Sequence, residues 1–399
     1  MSTAPLRDAL GAGLPERPFR LRLWDGAELP STNGGGGPTF TATSPTALGH
    51  LLRAPGQLGL GRAYVDGSIV VDDLDAALAL LDGYAPPPID ARARARLAAA
   101  AVRAGALRRI PHVPAAELRP RGARHSIARD KRAVTHHYDV SNAYFALFLD
   151  ASMTYSCALW SRGAETLEEA QAAKLELVCT KLGLREGERV LDVGCGWGSF
   201  AVHAAREHGV HVTGITLSAP QAEAARLRAR EAGVADRVEI RVMDYRELHG
   251  ETFDAIASIG MVEHVGSVNI DGYARSLAAR LAPGGRLLNH GIARLRHGEA
   301  EAGPFSERFV FPDAAPLHLS RVQSALEAAG LETRHVEGLR ADYVRTLREW
   351  TARLESDLPA AIRLAGAERT RVWQLYLRAA QRGFETGFTS VYQVLAHRT

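Results

Sequence analysis

The sequence predicts an α/β chain whose larger part is a Rossmann-like, doubly wound sheet, and three observations predict it. Val190–Phe200, VLDVGCGWGSF, is an apolar run that opens into glycines at 194, 196 and 198 and continues as an apolar periodic segment. That is the pattern of a strand, a tight turn and a helix, and in a parallel sheet such a turn is where a nucleotide-like ligand crosses the strand ends. From about residue 125 onward helical and strand patterns alternate, as in a doubly wound fold. A chain of 399 residues also exceeds one ordinary core, so a second, smaller domain is expected.

The elements follow in order. Residues 1–16 read as a loose arm, and Phe19–Trp24 alternates apolar and polar residues as a half-buried strand does. Gly34–Gly37 before Pro38 is a loop. Residues 44–83 mix helical and strand signals, with Asp66-Gly67 a turn between short strands and Leu74–Leu81 helical. Pro86-Pro87-Pro88 is a stiff break, residues 89–109 an Ala/Arg-rich helix, and Pro111, Pro114 and Pro120 mark a linker. The expected domains are therefore 1–88, a basic helix and linker over 89–124, and a large domain over 125–399. Within the last, strands are expected at 189–193, 210–215, 237–242, 253–258, 285–290, near 331–337 and at 388–396. Helices are expected at 165–182, 198–207, 219–232, 271–281, 319–329 and across 341–385.

Hydrophobic content of 46% and charged content of 23% are those of a soluble globular protein. No apolar run reaches the roughly 18–20 residues of a membrane span, and MSTAPLRDALGAG lacks the pattern of a signal peptide. Cys157, Cys179 and Cys195 are odd in number and widely spaced, which excludes a disulfide framework and offers no zinc-ligand spacing. Free thiols fit a reducing compartment, so a cytoplasmic location is expected. His136-His137 has no further ligand at suitable spacing, and no metal is expected.

The net charge of +3 is unevenly distributed: residues 91–132 hold twelve Arg or Lys against Glu117 and Asp130, a net of +10. Such a segment is either a solvated helix and linker or a surface for anionic lipid. No nucleic-acid motif accompanies it, so nucleic acid is not expected as a partner.

The segments after the three first strands of the large domain read as a cofactor pocket that favours S-adenosylmethionine. Gly214–Ser218 and Gln221 follow the second strand without an acidic residue for the ribose, which leaves that work to Thr216, Leu217 and Gln221. Asp244-Tyr245-Arg246 follows the third, where the adenine edge would meet an aromatic face. Helix capping by Thr216 and Asp244 and packing by Tyr245 are the competing readings. The aromatic-rich segment 133–160 reads either as a lid over the site or as an amphipathic helix packed on the sheet.

HHYDVSN at 136–142, MTYSCALW at 153–160, ETLEEAQAAKL at 165–175, VLDVGCGWGSF at 190–200, GITLSAPQ at 214–221, DYREL at 244–248, SIGMVEHVG at 258–266, LLNHGI at 287–292 and ADYVRTLREW at 341–350 run in order along the chain. With these motifs residues 120–399 resemble the cyclopropane-fatty-acyl-phospholipid synthase family. Residues 15–110 resemble, more loosely, the N-terminal lipid-binding domain of its longer bacterial members, which argues against the shorter mycolic-acid synthases. The resemblance implies a class I methyltransferase domain with a helical lid, and methylene transfer from S-adenosylmethionine to the cis double bond of a phospholipid acyl chain. It implies cofactor contacts from Tyr155, Ser156, Asp192, Gly194, Cys195, Gly196, Gly198, Thr216, Leu217, Gln221, Tyr245 and Arg246. It also implies a bicarbonate ion held by Cys157, Glu263, His290, Ile292 and Tyr343, and a dimer formed through the N-terminal domain.

The chemistry explains such a set. An alkene is a poor nucleophile, and alignment with a methyl sulfonium lowers the entropic part of the barrier. The resulting cation can be stabilised by aromatic faces, for which Tyr138, Tyr144, Phe145 and Phe148 are candidates. A proton must then leave the new methyl group, and a small fixed anion can take it. Glu263 would position that anion, His290 and Tyr343 would donate to it, and Cys157 would contribute chiefly position rather than a covalent step. Taken alone, Glu263 reads equally as a helix cap, His290 as a core histidine and Tyr343 as packing. Asn289 stands where many family members carry an apolar residue, and Ala380 where several carry a cysteine. An exo-methylene product shares the first step and differs in where the proton is lost. A non-catalytic lipid- or cofactor-binding protein is the reading from another class. The expected setting is the inner face of the cell membrane, held by the basic segment.

Overall fold

The computed structural model describes residues 2–106, 111–119, 122–127, 129–130, 132, 141–296 and 303–399. The motif residues 136–140, with Tyr138, His136 and His137, lie outside them. The chain forms two compact units. The first comprises Met1–Leu118, Gly303–Val310 and Ala365–Arg382, and the second Arg119–Ala302, Phe311–Leu364 and Gly383–Thr399.

In the first unit strands β1 (Arg20–Arg22), β2 (Glu28–Leu29), β3 (Thr39–Ala42) and β4 (Ile69–Val71) form one sheet in the order β2-β1-β3-β4. Residues Ala4–Gly13, expected as a loose arm, are a helix. Its Leu6 is buried with Ala100, Ala101 and Ala104, and the backbone N–H of Thr3 donates to Asp25 (2.7 Å), so apolar contact and an anchored start hold the segment. The Ala/Arg-rich helix, Ala91–Arg103, supplies those alanines and so belongs to this unit's core instead of forming a linker. The unit boundary accordingly falls after Leu118, not at 88 or 124.

The second unit is built on a seven-stranded sheet: β5 (Arg189–Val193), β6 (His211–Thr216), β7 (Val238–Val242), β8 (Phe253–Ile259), β9 (Leu281–Arg294), β10 (Leu331–Gly338) and β11 (Thr389–Arg398). Their order is β10-β11-β9-β8-β5-β6-β7. Strands β5 to β9 are parallel neighbours, and β11 is antiparallel to both β9 and β10. Side chains alternate between two cores, as the strand period requires. Leu191, Ile256 and Leu287 join one with the helices Ile270–Arg280 and Leu319–Ala328. Val190, Ala255 and Leu288 join the other with Leu167–Leu182, Ser199–His208 and Ala219–Glu231. This is the class I methyltransferase arrangement the sequence predicts.

Helix Leu167–Leu182 begins with a reciprocal cap between Thr166 and Glu169 and ends at Gly183 in the left-handed conformation. The helical part expected across 341–385 comprises two helices, Arg340–Ser356 and Leu358–Glu385, and the second has a non-helical residue at Gly366 (φ 78°, ψ 162°). That break stands where the chain passes from the second unit to the first. Among the described residues no helix is long and apolar enough to cross a membrane.

Candidate active site

Strand β5 ends at Val193, and the chain turns sharply through Gly194 (φ 79°), Gly196 (φ 53°) and Gly198 (φ 80°), values that favour glycine. The turn lines a cleft of about 970 Å³, open mouth included, at the carboxyl ends of β5, β6 and β7. Of the residues named for the cofactor, Tyr155, Ser156, Asp192, Gly194, Cys195, Gly196, Thr216, Leu217, Gln221 and Tyr245 line this cleft. Gly198 and Arg246 do not. A Cβ on Gly198 would stand 2.8 Å from that of Ala225, so this glycine serves close packing of two helices. Arg246 is turned to Asp244 (2.7 Å) and Asp130 (2.8 Å), and Asp244 itself both caps Tyr245–Glu247 and faces the cleft. Capping and pocket roles coexist there.

Asp192 is fully enclosed, and burial pushes its carboxyl up to about 7 although Lys174 opposes the shift. Its Oδ2 has no hydrogen-bond partner among the described residues, which leaves a buried acceptor in the cleft wall. Lys174 is the residue sequence reasoning missed. It is buried in the cleft wall, its Nζ donates to Ser156 Oγ (2.9 Å), and burial lowers its pKa to about 8. One turn earlier Gln171 Nε2 donates to the Ser156 carbonyl (2.9 Å). The AQAAK motif thus holds the segment carrying Tyr155 and Ser156, and a lysine amid apolar helix positions was the available signal. Met261 and His264 also line the cleft, and burial lowers the His264 pKa to about 4.

The second residue set converges around β9. His290 and Ile292 lie two apart on that strand, opposite Gln393 and Val391 of β11. Glu263, in the turn Val262–His264 after β8, accepts at Oε1 from the Ile292 N–H (2.7 Å). Leu339 links the rest: its N–H donates to Val391, and its carbonyl accepts from the Tyr343 N–H (3.0 Å) and the Cys157 thiol (3.6 Å). All five residues are buried or nearly so. Burial holds Glu263 up at about 7 and His290 down at about 3, and pushes the Cys157 thiol up. The Cys157 thiol is therefore not a ready nucleophile.

The proton on His290 can be assigned. Lys181 Nζ donates to Gln393 Oε1 (2.7 Å), which turns the Gln393 amide nitrogen toward His290 Nδ1 (3.1 Å). That nitrogen is a donor only, so Nδ1 accepts and the neutral ring carries its proton on Nε2. His290 Nε2 and Glu263 Oε2 are both buried without a partner among the described residues. One offers a donor; the other is a carboxyl oxygen poised between its two protonation states at neutral pH.

Asn289 turns its Oδ1 to the Tyr273 hydroxyl (3.0 Å), which also bonds Ser258 Oγ (2.6 Å), so it is satisfied on the far side of β9 from His290. Tyr144, Phe145 and Phe148 are wholly buried. Phe145 packs behind Trp197 (4.9 Å) and Tyr155 (5.5 Å), and Tyr155 stacks on Trp350 (5.2 Å). Of the four rings named for a cation, these three form a backing core, and Tyr155 and Trp197 present the aromatic surface of the cleft.

The family described as mycolic acid cyclopropane synthetase matches residues 125–394. The chain belongs to the cyclopropane synthase family. With that family it falls among the S-adenosylmethionine-dependent methyltransferases. A probable fatty acid methyltransferase of Pseudomonas putida is 36% identical over 95% of this chain and 91% of its own length. The cyclopropane-fatty-acyl-phospholipid synthase of Escherichia coli is 34% identical over 86% of this chain and 84% of its own. Among solved structures, the cyclopropane synthase MmaA2 of Mycobacterium tuberculosis has a TM-score of 0.64 and 32% identity, covering 67% of this chain and 98% of its own. The mycolic acid cyclopropane synthase CmaA1, solved with SAH and CTAB, has a TM-score of 0.63 and 31% identity over the same share. These synthases are shorter than this chain.

Proposed function

We propose that this family member transfers a methylene unit from S-adenosylmethionine to the cis double bond of unsaturated phospholipid acyl chains, forming a cyclopropane. The observation that carries this reading is the pair of buried, unpartnered polar atoms, Glu263 Oε2 and His290 Nε2, beside a cleft fit for a nucleoside cofactor. When bound, S-adenosylmethionine supplies an electrophilic methyl group. Asp192 Oδ2 would meet a cationic end of it, and Thr216, Gln221 and Asp244 its polar edges. The residues also fit a bicarbonate ion, which would supply a small base: His290 Nε2 would donate to it, Glu263 would exchange its proton with it, and Tyr343 and Cys157 would complete the wall. The Ile292 N–H, already given to Glu263, holds that carboxyl in position. A proton acceptor fixed in this way does not itself collapse onto a carbocation.

A second reading has support in the relatives named for fatty acid methyl transfer, including a tuberculostearic acid methyltransferase of Mycobacterium tuberculosis that is 30% identical over 94% of this chain. There the proton would leave after a hydride shift, to give an exo-methylene chain. Access to the lipid would come from the basic helix Ala91–Arg103. Arg92, Arg96 and Arg103 are exposed and fall within an arc of about 40° at the helical period, on the far side from the buried Ala101. Such a stripe suits the anionic headgroups of the inner membrane face, and dimer formation through the same unit completes the proposal.

Incubation of the protein with unsaturated phospholipid vesicles and S-adenosylmethionine tests the reading. A CH2 mass gain with upfield ring protons supports cyclopropane formation. The same gain with olefinic methylene protons supports the second reading. No gain, with the cofactor bound, overturns both in favour of a binding protein.

A further inference from the structure

Cys179 takes no part in the site above. It is buried on helix Leu167–Leu182, one turn after Glu176, and both lie on the face toward helix Ser199–His208. That helix brings His203 and His208 to the same place. One ring nitrogen from each histidine and the Cys179 sulfur lie within 4.8 Å of one another. The Nε2 atoms of His203 and His208 stand 3.2 and 3.0 Å from a single atom, Glu176 Oε2. The other carboxylate oxygen accepts from the Thr180 hydroxyl (3.2 Å), which fixes the orientation of the group.

Four donors of this kind around a tetrahedral zinc ion, at bond lengths of about 2.0–2.3 Å, stand roughly 3.3–3.8 Å apart. The carboxylate–histidine separations here are shorter than that edge by only a few tenths of an ångström. A purely structural role explains the cluster less well. Both imidazoles hydrogen-bond one oxygen, and the sulfur beside them adds nothing to that hydrogen bonding. The sequence spacing also fits, with Glu176 and Cys179 separated by two residues and His203 and His208 by four, the spacings of paired ligands in structural zinc sites.

We propose that Cys179, His203 and His208, whose donor atoms lie together, bind a divalent transition metal, zinc by its donor set, and that Glu176, hydrogen-bonded to both histidines but outside that group of three, turns in to complete the coordination. Four protein ligands leave no open position, so the ion is structural. It ties together the two helices that carry Lys174 and Phe200 into the cleft wall, five residues before Cys179 and three before His203.

The test uses the full chain, stripped with chelator and titrated with Co²⁺, whose tetrahedral thiolate complexes absorb strongly. The expected result is one cobalt per chain, with a sulfur-to-cobalt charge-transfer band that zinc abolishes. Cys179→Ser should remove that band, and His208→Gln should weaken binding by about tenfold or more. Far-UV circular dichroism of each stripped variant against stripped wild type shows whether the fold is kept. If Cys179→Ser misfolds, His208→Gln alone, at a half-exposed position, decides. No stoichiometric binding by wild type, an unchanged charge-transfer band in a folded Cys179→Ser, or unchanged affinity in His208→Gln would each overturn the proposal.

Discussion

Gly291 stands between His290 and Ile292, and a Cβ there would lie 2.2 Å from Val262 Cγ1. Ordinary contact begins near 3.4 Å, so Gly291→Ala must drive the Val262–His264 turn and β9 apart by about 1 Å. Overpacking of this kind costs about 1–3 kcal/mol. For a unit of this size that lowers the melting temperature by roughly 2–10 °C. The larger effect is on turnover. Glu263 follows Val262 directly, and its 2.7 Å bond to the Ile292 N–H spans the same gap. A displacement of about 1 Å at a reacting centre costs on the order of 100-fold in rate. Cofactor binding should change less than turnover, because neither Gly291 nor Val262 lines the cleft and only His264 of the displaced turn does. The assay is turnover of labelled S-adenosylmethionine on vesicles beside a thermal melt. Val262→Ala removes the clashing atom, so the double variant should recover at least tenfold of the lost rate even though its own cavity costs stability. Wild-type turnover in Gly291→Ala, or no recovery in the double variant, refutes the reasoning.

Further outcomes follow from the same geometry. Burial raises the Glu263 carboxyl from 4.5 to about 7, so between those values the folded chain keeps a proton the unfolded chain has lost, and stability falls as pH rises through that window. At about 1.4 kcal/mol per unit the effect is at most about 3.5 kcal/mol. Glu263→Gln should therefore be the more stable protein in urea at pH 8 and match wild type near pH 4; parallel pH profiles would count against it. Asp192→Asn should weaken S-adenosylmethionine binding by about tenfold or more in calorimetry, since a hydrogen bond to a charged group is worth about 1.5–3 kcal/mol. Thr346 Oγ1 accepts from both the Ala158 N–H (3.1 Å) and Trp160 Nε1 (3.0 Å). Thr346→Val strands two buried donors at about 1–3 kcal/mol each, and a melting temperature within 1–2 °C of wild type would disprove it. Neutralisation of Arg92, Arg96 and Arg103 to Gln should weaken co-sedimentation with anionic vesicles about 100-fold at low salt and little at high salt, at about 1 kcal/mol per charge. Equal binding at all salt concentrations would remove the helix from the account.

The parts of this chain that were legible in its sequence are those where local pattern and tertiary role agree. VLDVGCGWG reads as strand and turn because the glycine conformations and the ligand cleft make the same demand. Glu263, His290 and Tyr343 were nameable as one set through motifs, but the contacts that link them were not, because these run through Leu339 and Val391, which carry no chemistry of their own. Phe145 and Phe148 show the opposite failure, since aromatic density cannot distinguish a cleft wall from its backing. Lys174 went unnamed because helical spacing alone does not tell which face of Leu167–Leu182 the fold encloses. The arm over residues 1–16 became a helix only because Ala100 and Ala101, almost a hundred residues later, cover Leu6. The Glu176–His208 cluster does not show in cysteine spacing or in adjacent histidines such as His136-His137, because the fold assembles it from two helices.

The first unit's three-part make-up sets the order in which it can form during synthesis. Residues 1–118 lack the Phe305 ring that covers Gly61, the Arg308 carbonyl that accepts from the Leu118 N–H, and Glu368, Arg371, Arg378 and Arg382, which bond Ala116, Val65, Asp75 and Asp82. The last of these residues is made 264 residues after Leu118. At about 5–20 residues per second, the amino-terminal segment waits on the order of ten seconds to a minute for its closing pieces. The second unit, the larger, waits for its own closing piece as well, because β11 lies between β9 and β10 in its sheet and is made after Arg382. Vectorial folding from the amino terminus is thus closed to this chain, and its last helix is the final piece of its first unit.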